Sequence, residues 1–242
     1  MAKRGRMQIV LIPGLMNDGW VWRHQVGPLS RVAPVRIACN DGCDSLAAMA
    51  ARILREPGDR LWVAGHSMGG RVALETFAQA PGRIAGLALL DTGAHGPAGE
   101  AEAAGRLRLV DIARTQGLRA VARDWLPPML GTAARRDAAL IEGITTMLER
   151  CPAEIFARQQ QALLSRENRM PLLPAIACPT LVATGNEDAW ASPAQHAEMA
   201  SGIPGATLAV IEGAGHMLPV EAPEALTRLL LDWLARGRDA EG

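Results

Sequence analysis

The sequence contains no tyrosine, only two phenylalanines, and a single lysine, Lys3, beside twenty-four arginines. That skew matches the codon bias of a GC-rich genome and carries no functional reading. Charge of one sign is also missing. Lys+Arg and Asp+Glu both number 25, so the formal net charge is zero. A balanced chain offers no electrostatic footprint for nucleic acid or an anionic membrane surface. Long apolar runs are absent too. The stretches at 7–12 and 87–90 are far too short to span a bilayer. The N-terminus is basic, but the apolar run that follows stops at Pro13, short of the roughly 7–15 residues of a signal-peptide core. Cysteine is sparse: Cys39, Cys43, Cys151 and Cys178. The C-x3-C pair lacks a second Cys/His pair, so no zinc site is expected. Four thiols without an export signal lead to the expectation of a reduced, cytoplasmic protein.

What is present is an ordinary globular mixture, 49% apolar and 21% charged over 242 residues, enough for one domain or one domain with an insertion. Six short runs rich in Val, Ile and Leu read as strands: Gln8–Ile12, Val35–Ala38, Leu61–Gly65, Ile84–Leu90, Thr180–Thr184 and Thr207–Ile211. Their near-continuous apolarity suits strands covered on both faces. Helical patterns fill the gaps. One follows Asp44-Ser45, one runs from Ser67 to Ala80, one opens at Ser192-Pro193, and one opens at Pro223 with Leu226, Leu229, Leu230, Trp233 and Leu234 as its buried stripe. The alternation predicts an α/β fold, a mostly parallel six-stranded sheet with helices on both faces.

Between Asp91 and Pro179 the alternation stops. Four helical patterns, Glu100–Thr115, Leu118–Leu126, Ala133–Arg150 and Ala153–Arg166, are divided by Gly117, Pro127-Pro128, Gly131 and Pro152. This predicts a helical cap over residues 97–169, inserted into a core formed by 1–96 and 170–242.

The most informative motif is Gly65-His66-Ser67-Met68-Gly69, directly after a strand and directly before a helix. A serine on so sharp a turn is exposed above the sheet, the glycines two residues away on each side remove colliding side chains, and the helix N-terminus faces the reaction centre. A serine hydroxyl needs a base to take its proton. His216, in Gly213-Ala214-Gly215-His216-Met217, follows the last strand and is the candidate. His66 should point away from the serine, His24 and His196 fall in helical patterns as surface or packing residues, and His95 is the second choice for a site histidine. The acid is assigned to Asp188 in Thr184-Gly185-Asn186-Glu187-Asp188, with Asp91 and Glu187 as rivals. The Met68 N–H and a donor from the loop 12–17, with Leu15 as the candidate and Gly14 permitting an unusual backbone there, would form an oxyanion hole.

Along nearly its whole length the chain resembles the α/β-hydrolase fold superfamily. The Ser67, Asp188, His216 order is that of the family. Pro13-Gly14 stands where the family usually has His-Gly, Trp20 or Trp22 matches the aromatic position after that loop, and Gly185 and Asp188, with Pro193 downstream, match its acid loop. Gly213, Gly215 and His216 match its histidine loop. Two N-terminal antiparallel strands of larger members have no room before Met7. The resemblance implies a serine hydrolase acting on small or medium carboxylic esters, with no metal or organic cofactor and a small-molecule ester as its partner, and leaves the oligomeric state open. A carbon–carbon bond hydrolase or lyase, similar to the menaquinone-pathway cyclohexadiene synthase, is the alternative on the same scaffold. A non-catalytic ligand receptor is another, and perhydrolase activity is a conceivable side reaction. Aspartate-nucleophile dehalogenases and epoxide hydrolases are disfavoured by the serine at 67.

Trp190, Trp125, Met129 and Met217 are the expected substrate contacts, although packing competes for each, and Met147 and Phe156 read as cap core. Arg71, one turn past Ser67, reads first as a salt bridge beneath the elbow and second as a hint of an anionic substrate. The cap arginines, Arg106, Arg108, Arg114, Arg119 and Arg123, read as a solvated face.

Overall fold

The computed structural model describes residues 7–239; the basic segment 1–6 weighed as a signal lies outside them. Six strands, β1 (Met7–Ile12), β2 (Val35–Ile37), β3 (Arg60–His66), β4 (Ile84–Leu90), β5 (Thr180–Gly185) and β6 (Thr207–Ile211), form one sheet in the order β2-β1-β3-β4-β5-β6. Every pairing is parallel, so the carboxyl ends of all six strands share one rim. The order reverses direction between β1 and β3, and a crevice opens at such a switch point because successive connections leave to opposite faces.

The central strands are apolar because they are covered on both sides. All seven residues of β4 are buried, as are six of seven in β3. Full burial of a Leu or Ile side chain contributes about 1.5–3 kcal/mol, so these two strands anchor the rim on which the site is built. The edge strand β6 departs from the expectation of two covered faces. Its burial alternates, and Leu208 and Val210 are 41% and 47% exposed.

The helices follow local signals. In α2 (Leu46–Arg55), Ser45 accepts from Ala48 N at its N-cap. In α8 (Pro193–Gly202), Ser192 and Gln195 form a reciprocal capping box with Pro193 in the first turn. Short helices α1 (Val26–Ser30) and α9 (Leu218–Glu221) lie between the longer patterns, too brief to show a period. His24 sits in the turn before α1 rather than in a helix.

Between β4 and β5 no strand occurs. This stretch holds α4 (Glu100–Gln116), α5 (Leu118–Trp125), α6 (Ala138–Glu149) and α7 (Ala153–Leu164). One boundary differs from the sequence reading. The pattern from Ala133 to Arg150 is broken at Asp137, which caps α6 by accepting from Leu140 N. An aspartate satisfies exposed helix N–H groups better than it propagates a helix. The last helix, α10 (Pro223–Asp239), packs Leu226, Leu230, Trp233 and Leu234 inward, and Trp233 meets Trp62 edge to face at 4.9 Å.

Candidate active site

The turn from β3 into α3 (Met68–Gln79) holds Ser67 at φ +55°, where a residue with a Cβ is strained by about 1–3 kcal/mol. The surroundings enforce it. Ser67 N donates to Leu90 O at 2.8 Å, and Ser67 O accepts from Thr92 Oγ1 at 2.7 Å and from Gly70 N at 3.0 Å. A Cβ on Gly65 would collide with the Gly69 carbonyl, and one on Gly69 with the Ile12 carbonyl. The two glycines are therefore required by the closeness of β1, β3 and α3.

At the end of β6 the loop carrying His216 folds back over this turn. His216 Nε2 lies 2.9 Å from Ser67 Oγ, and His216 Nδ1 lies 2.8 Å from Asp188 Oδ2. The other oxygen of Asp188 accepts from Trp190 N at 2.8 Å and Ala191 N at 2.9 Å. Burial alone would raise the Asp188 carboxyl. The charge of His216 and these hydrogen bonds outweigh it, and the pKa lies below the ordinary aspartate value. Hydroxyl, imidazole and carboxylate thus form one continuous relay drawn from the ends of β3, β6 and β5.

The other candidates fall elsewhere. Glu187 points away from the relay and accepts from Thr132 N and Oγ1, each at 2.6 Å. Asp91 is fully buried at the end of β4, where it accepts from Leu218 N at 3.1 Å and Gly185 N at 3.4 Å. His66 is buried beside the relay. Its Nε2 donates to His216 O at 2.7 Å, and its Nδ1 accepts from Asn17 Nδ2 at 3.4 Å. Burial, first of all, holds its imidazole below the usual histidine pKa. His196 is a buried packing residue of α8 that accepts from Thr92 N at 3.0 Å. His95 is exposed and pairs with Glu198 at 3.1 Å.

In the loop after β1 the left-handed residue is Met16, at φ +60°, and not Gly14. Gly14 serves another purpose: a Cβ there would press on the Ser67 Cβ at 3.1 Å. Met16 N is taken by Gln159 Oε1 of α7 at 2.9 Å. Leu15 N precedes it, with no such partner among the described residues, and Met68 N opens α3, where helix geometry supplies no acceptor. Trp22 is buried with its ring edge-on to His66, while Trp20 stacks under Arg23.

Two braces carried no sequence signal. Glu221 of α9 accepts from Gly131 N at 2.7 Å, Met217 N at 2.8 Å and Gly215 N at 3.1 Å. His216 N donates to Met129 O at 2.7 Å. An isolated glutamate in a four-residue helix and a backbone carbonyl leave no pattern to read.

A cavity of about 580 Å³ lies between the helices inserted after β4 and the strand-end rim. Trp125 and Trp190 line it and meet edge to face at 5.7 Å, with Trp190 6.5 Å from the His216 ring. Met129 and Met217, expected as substrate contacts, are buried and do not line the cavity; both carry backbone bonds instead. Among the described residues Arg71 has no salt-bridge partner; it donates to His95 O at 2.6 Å and lines the cavity. Arg106 departs from the expected solvated face, because it pairs with Glu102 and donates to Gln160 Oε1. Arg108 lines the cavity as well. Arg114 and Arg119 are solvated and paired with glutamates, and Arg123 is exposed. Among the described residues no group of three or more His, Cys, Asp or Glu side chains is placed to hold a metal ion, and no helix is long and apolar enough to cross a membrane.

The chain is similar to known proteins over nearly all of its length. Residues 9–229 match the model of the alpha/beta hydrolase family. A thermophilic esterase from Thermogutta terrifontis, solved with malate bound, is 29% identical with a TM-score of 0.86, covering 96% of this chain and 90% of that one. The enol-lactonase of Burkholderia xenovorans is 27% identical with a TM-score of 0.84, covering 95% and 92%. RutD of Variovorax paradoxus, whose name carries carbamate hydrolase as a provisional activity, is 26% identical over 94% of this chain and 91% of its own. The parallel sheet, the serine on its strained turn and a family match spanning the sheet from β1 to α10 make this chain an enzyme of the alpha/beta hydrolase family.

Proposed function

We propose that the enzyme is a serine hydrolase that cleaves carboxylic esters through an acyl-enzyme. Ser67 Oγ attacks the ester carbonyl as His216 Nε2 takes its proton, and Asp188 holds the imidazole tautomer and stabilises the imidazolium. The Leu15 and Met68 N–H groups receive the oxyanion; one such donor is worth about 2.7–4 kcal/mol in the transition state. The tetrahedral adduct collapses as His216 returns its proton to the departing alcohol. Water then attacks the acyl-enzyme, His216 takes its proton and passes it to Ser67 Oγ, and the acid leaves. Residues 97–169 act as a cap that sets which acyl and alcohol groups enter.

The observation that carries this reading is the relay itself, 2.9 Å from Ser67 Oγ to His216 Nε2 and 2.8 Å from Nδ1 to Asp188, with the serine on a turn its surroundings force. The esterase and the enol-lactonase named above support the bond class, since an enol-lactone is a cyclic ester. An acyl-length series of chromogenic esters, with fluorophosphonate labelling, tests it. The wild type should turn over the esters and label at one serine. Ser67→Ala should stay folded, lose labelling and lose kcat by on the order of 10⁵–10⁶. Turnover surviving in Ser67→Ala removes the reading. Labelling without ester turnover moves it to the carbon–carbon hydrolase or lyase alternative.

A further inference from the structure

The loop after β1 folds into a tight turn of four residues, Gly14-Leu15-Met16-Asn17, closed by Asn17 N donating to Gly14 O at 3.1 Å. Its third residue, Met16, sits at φ +60°, and Leu15 does not share the left-handed region. That combination is a type II turn, whose third position favours glycine or asparagine because a Cβ is strained there. Methionine is neither. By local preference the turn would roll its central peptide over into the type I form, which has the same ends and no residue at positive φ. A contact from outside the loop has to hold it.

Gln159 makes that contact. Its side-chain Oε1 accepts from Met16 N at 2.9 Å, across 143 positions of sequence. It comes from α7, one of the helices inserted between β4 and β5, and is 4% exposed. A buried amide is costly unless it is bonded, and this one is bonded to a distant loop. Met16 N belongs to the peptide that would roll over, so the bond favours one turn form over the other. The other side-chain tie on the turn is longer: Asn17 Nδ2 lies 3.4 Å from His66 Nδ1. The turn itself presses on the elbow, since a Cβ on Gly14 would come within 3.0 Å of His66 Nδ1 and 3.1 Å of Ser67 Cβ.

We propose that Gln159 is a positioning residue for the oxyanion hole: by holding the Leu15–Met16 peptide it keeps the Leu15 N–H aimed at the carbonyl that Ser67 attacks. The proposal rests on the reading of Leu15 as an oxyanion donor. An amide suits the task, because it accepts a hydrogen bond without placing a negative charge beside the developing oxyanion. The adjacent Gln160 lines the cavity, so one helix borders the bound molecule and fixes the donor that acts on it.

Gln159→Met keeps the shape and removes the acceptor. On a chromogenic ester its kcat should fall by about 10–100-fold, less than the loss of a donor outright, with KM within about threefold. Affinity for an alkyl trifluoromethyl ketone, whose adduct with Ser67 carries the same oxyanion, should fall in step with kcat. A loss confined to KM, or full kcat in the folded variant, overturns the proposal. Met16→Gly gives a second test, because glycine adopts φ +60° without help. In that background Gln159→Met should cost no more than about threefold in kcat. A cost equal to that in the wild-type background overturns the action through the turn. One arm needs no variant. Amide exchange followed by NMR should find the Met16 N–H of the wild type strongly protected, and exchange at the rate of an open loop amide overturns the proposal. If ester turnover and fluorophosphonate labelling both fail while Met16 stays protected, the hydrolase reading and the oxyanion role fall together, and the tie between α7 and the loop stands. If both succeed and Gln159→Met keeps full kcat, the hydrolase reading stands and the positioning role alone is lost.

Discussion

Two neighbouring strands, β4 and β5, end side by side on the same rim, and the turn leaving each delivers a buried aspartate. The turn after β5 presents Asp188 to a histidine ring and to two backbone N–H groups of its own loop. The turn after β4 presents Asp91 to two more distant N–H groups, with the His66 ring 3.5 Å away and already committed to the His216 carbonyl. The consequences are opposite. Asp188 is held below the ordinary aspartate pKa, while burial and then the charge of Asp188 push Asp91 well above it. What separates the lowered pKa from the raised one here is whether a group that welcomes the charge stands opposite, because both carboxyls pay the same kind of desolvation.

The largest effect should come from removing that welcome. Asp188→Asn leaves the shape and takes away the charge that fixes the His216 tautomer, so kcat on a chromogenic ester should fall by about 10⁴-fold with folding retained. A comparable loss in Asp91→Asn would reassign the acid to β4. Next is the brace of the loop that carries His216. Glu221→Ala leaves the N–H groups of Gly131, Gly215 and Met217 without their acceptor. Unfolding in urea should show a loss of about 2–4 kcal/mol, since each stranded buried donor costs about 1–3 kcal/mol before relaxation or water recovers part of it.

Asp91→Asn should be milder and visible mostly in pH dependence. Asp91 keeps its proton in the fold at pH values where the unfolded chain has lost it. The folded state then binds more protons, and stability falls as pH rises from the ordinary value of 3.8 through the raised folded value. The substitution should remove this slope while costing about one hydrogen bond, about 0.5–1.5 kcal/mol. Asp188 contributes with the opposite sign: its stabilisation is full above the ordinary value and is lost as pH falls through the depressed one. Denaturation curves for the wild type and both variants across acid to mildly alkaline pH would separate the two slopes; identical curves would mean the two turns do not differ as described. Glu187→Gln should do least. It keeps an acceptor for Thr132 on an exposed bond, and kcat/KM should stay within roughly threefold.

Strand and helix positions were legible because they depend on local pattern. Ile84–Leu90 is apolar throughout and is buried throughout, and Ser45 and Ser192 cap the helices they precede. The G-x-S-x-G stretch between a strand and a helix was enough to single out Ser67, and position after a strand singled out His216 and Asp188; the structure joins the three through His216, 2.9 Å from Ser67 and 2.8 Å from Asp188. Asp91 and Glu187 stood as rivals to Asp188 because all three follow strands, and only the fold decides where their oxygens point. It also misread Arg106, whose bond to Gln160 requires α7 to meet α4 although its other partner, Glu102, sits one turn away on the same helix, and Arg71, which donates to the distant His95 carbonyl. Met129 was chosen for its side chain, yet its backbone carbonyl is what touches the His216 N–H.

By itself, the sequence determined that this chain would form a parallel sheet, put a serine at a forced turn and gather loops of chemistry at one rim, because periodicity and turn residues act over a few neighbours. The tertiary structure alone decided which carboxylate faces the imidazole, which glutamate braces the loops and which arginines line the cavity. Those outcomes depend on groups tens of residues apart meeting within hydrogen-bond reach, and no local preference encodes such a distance.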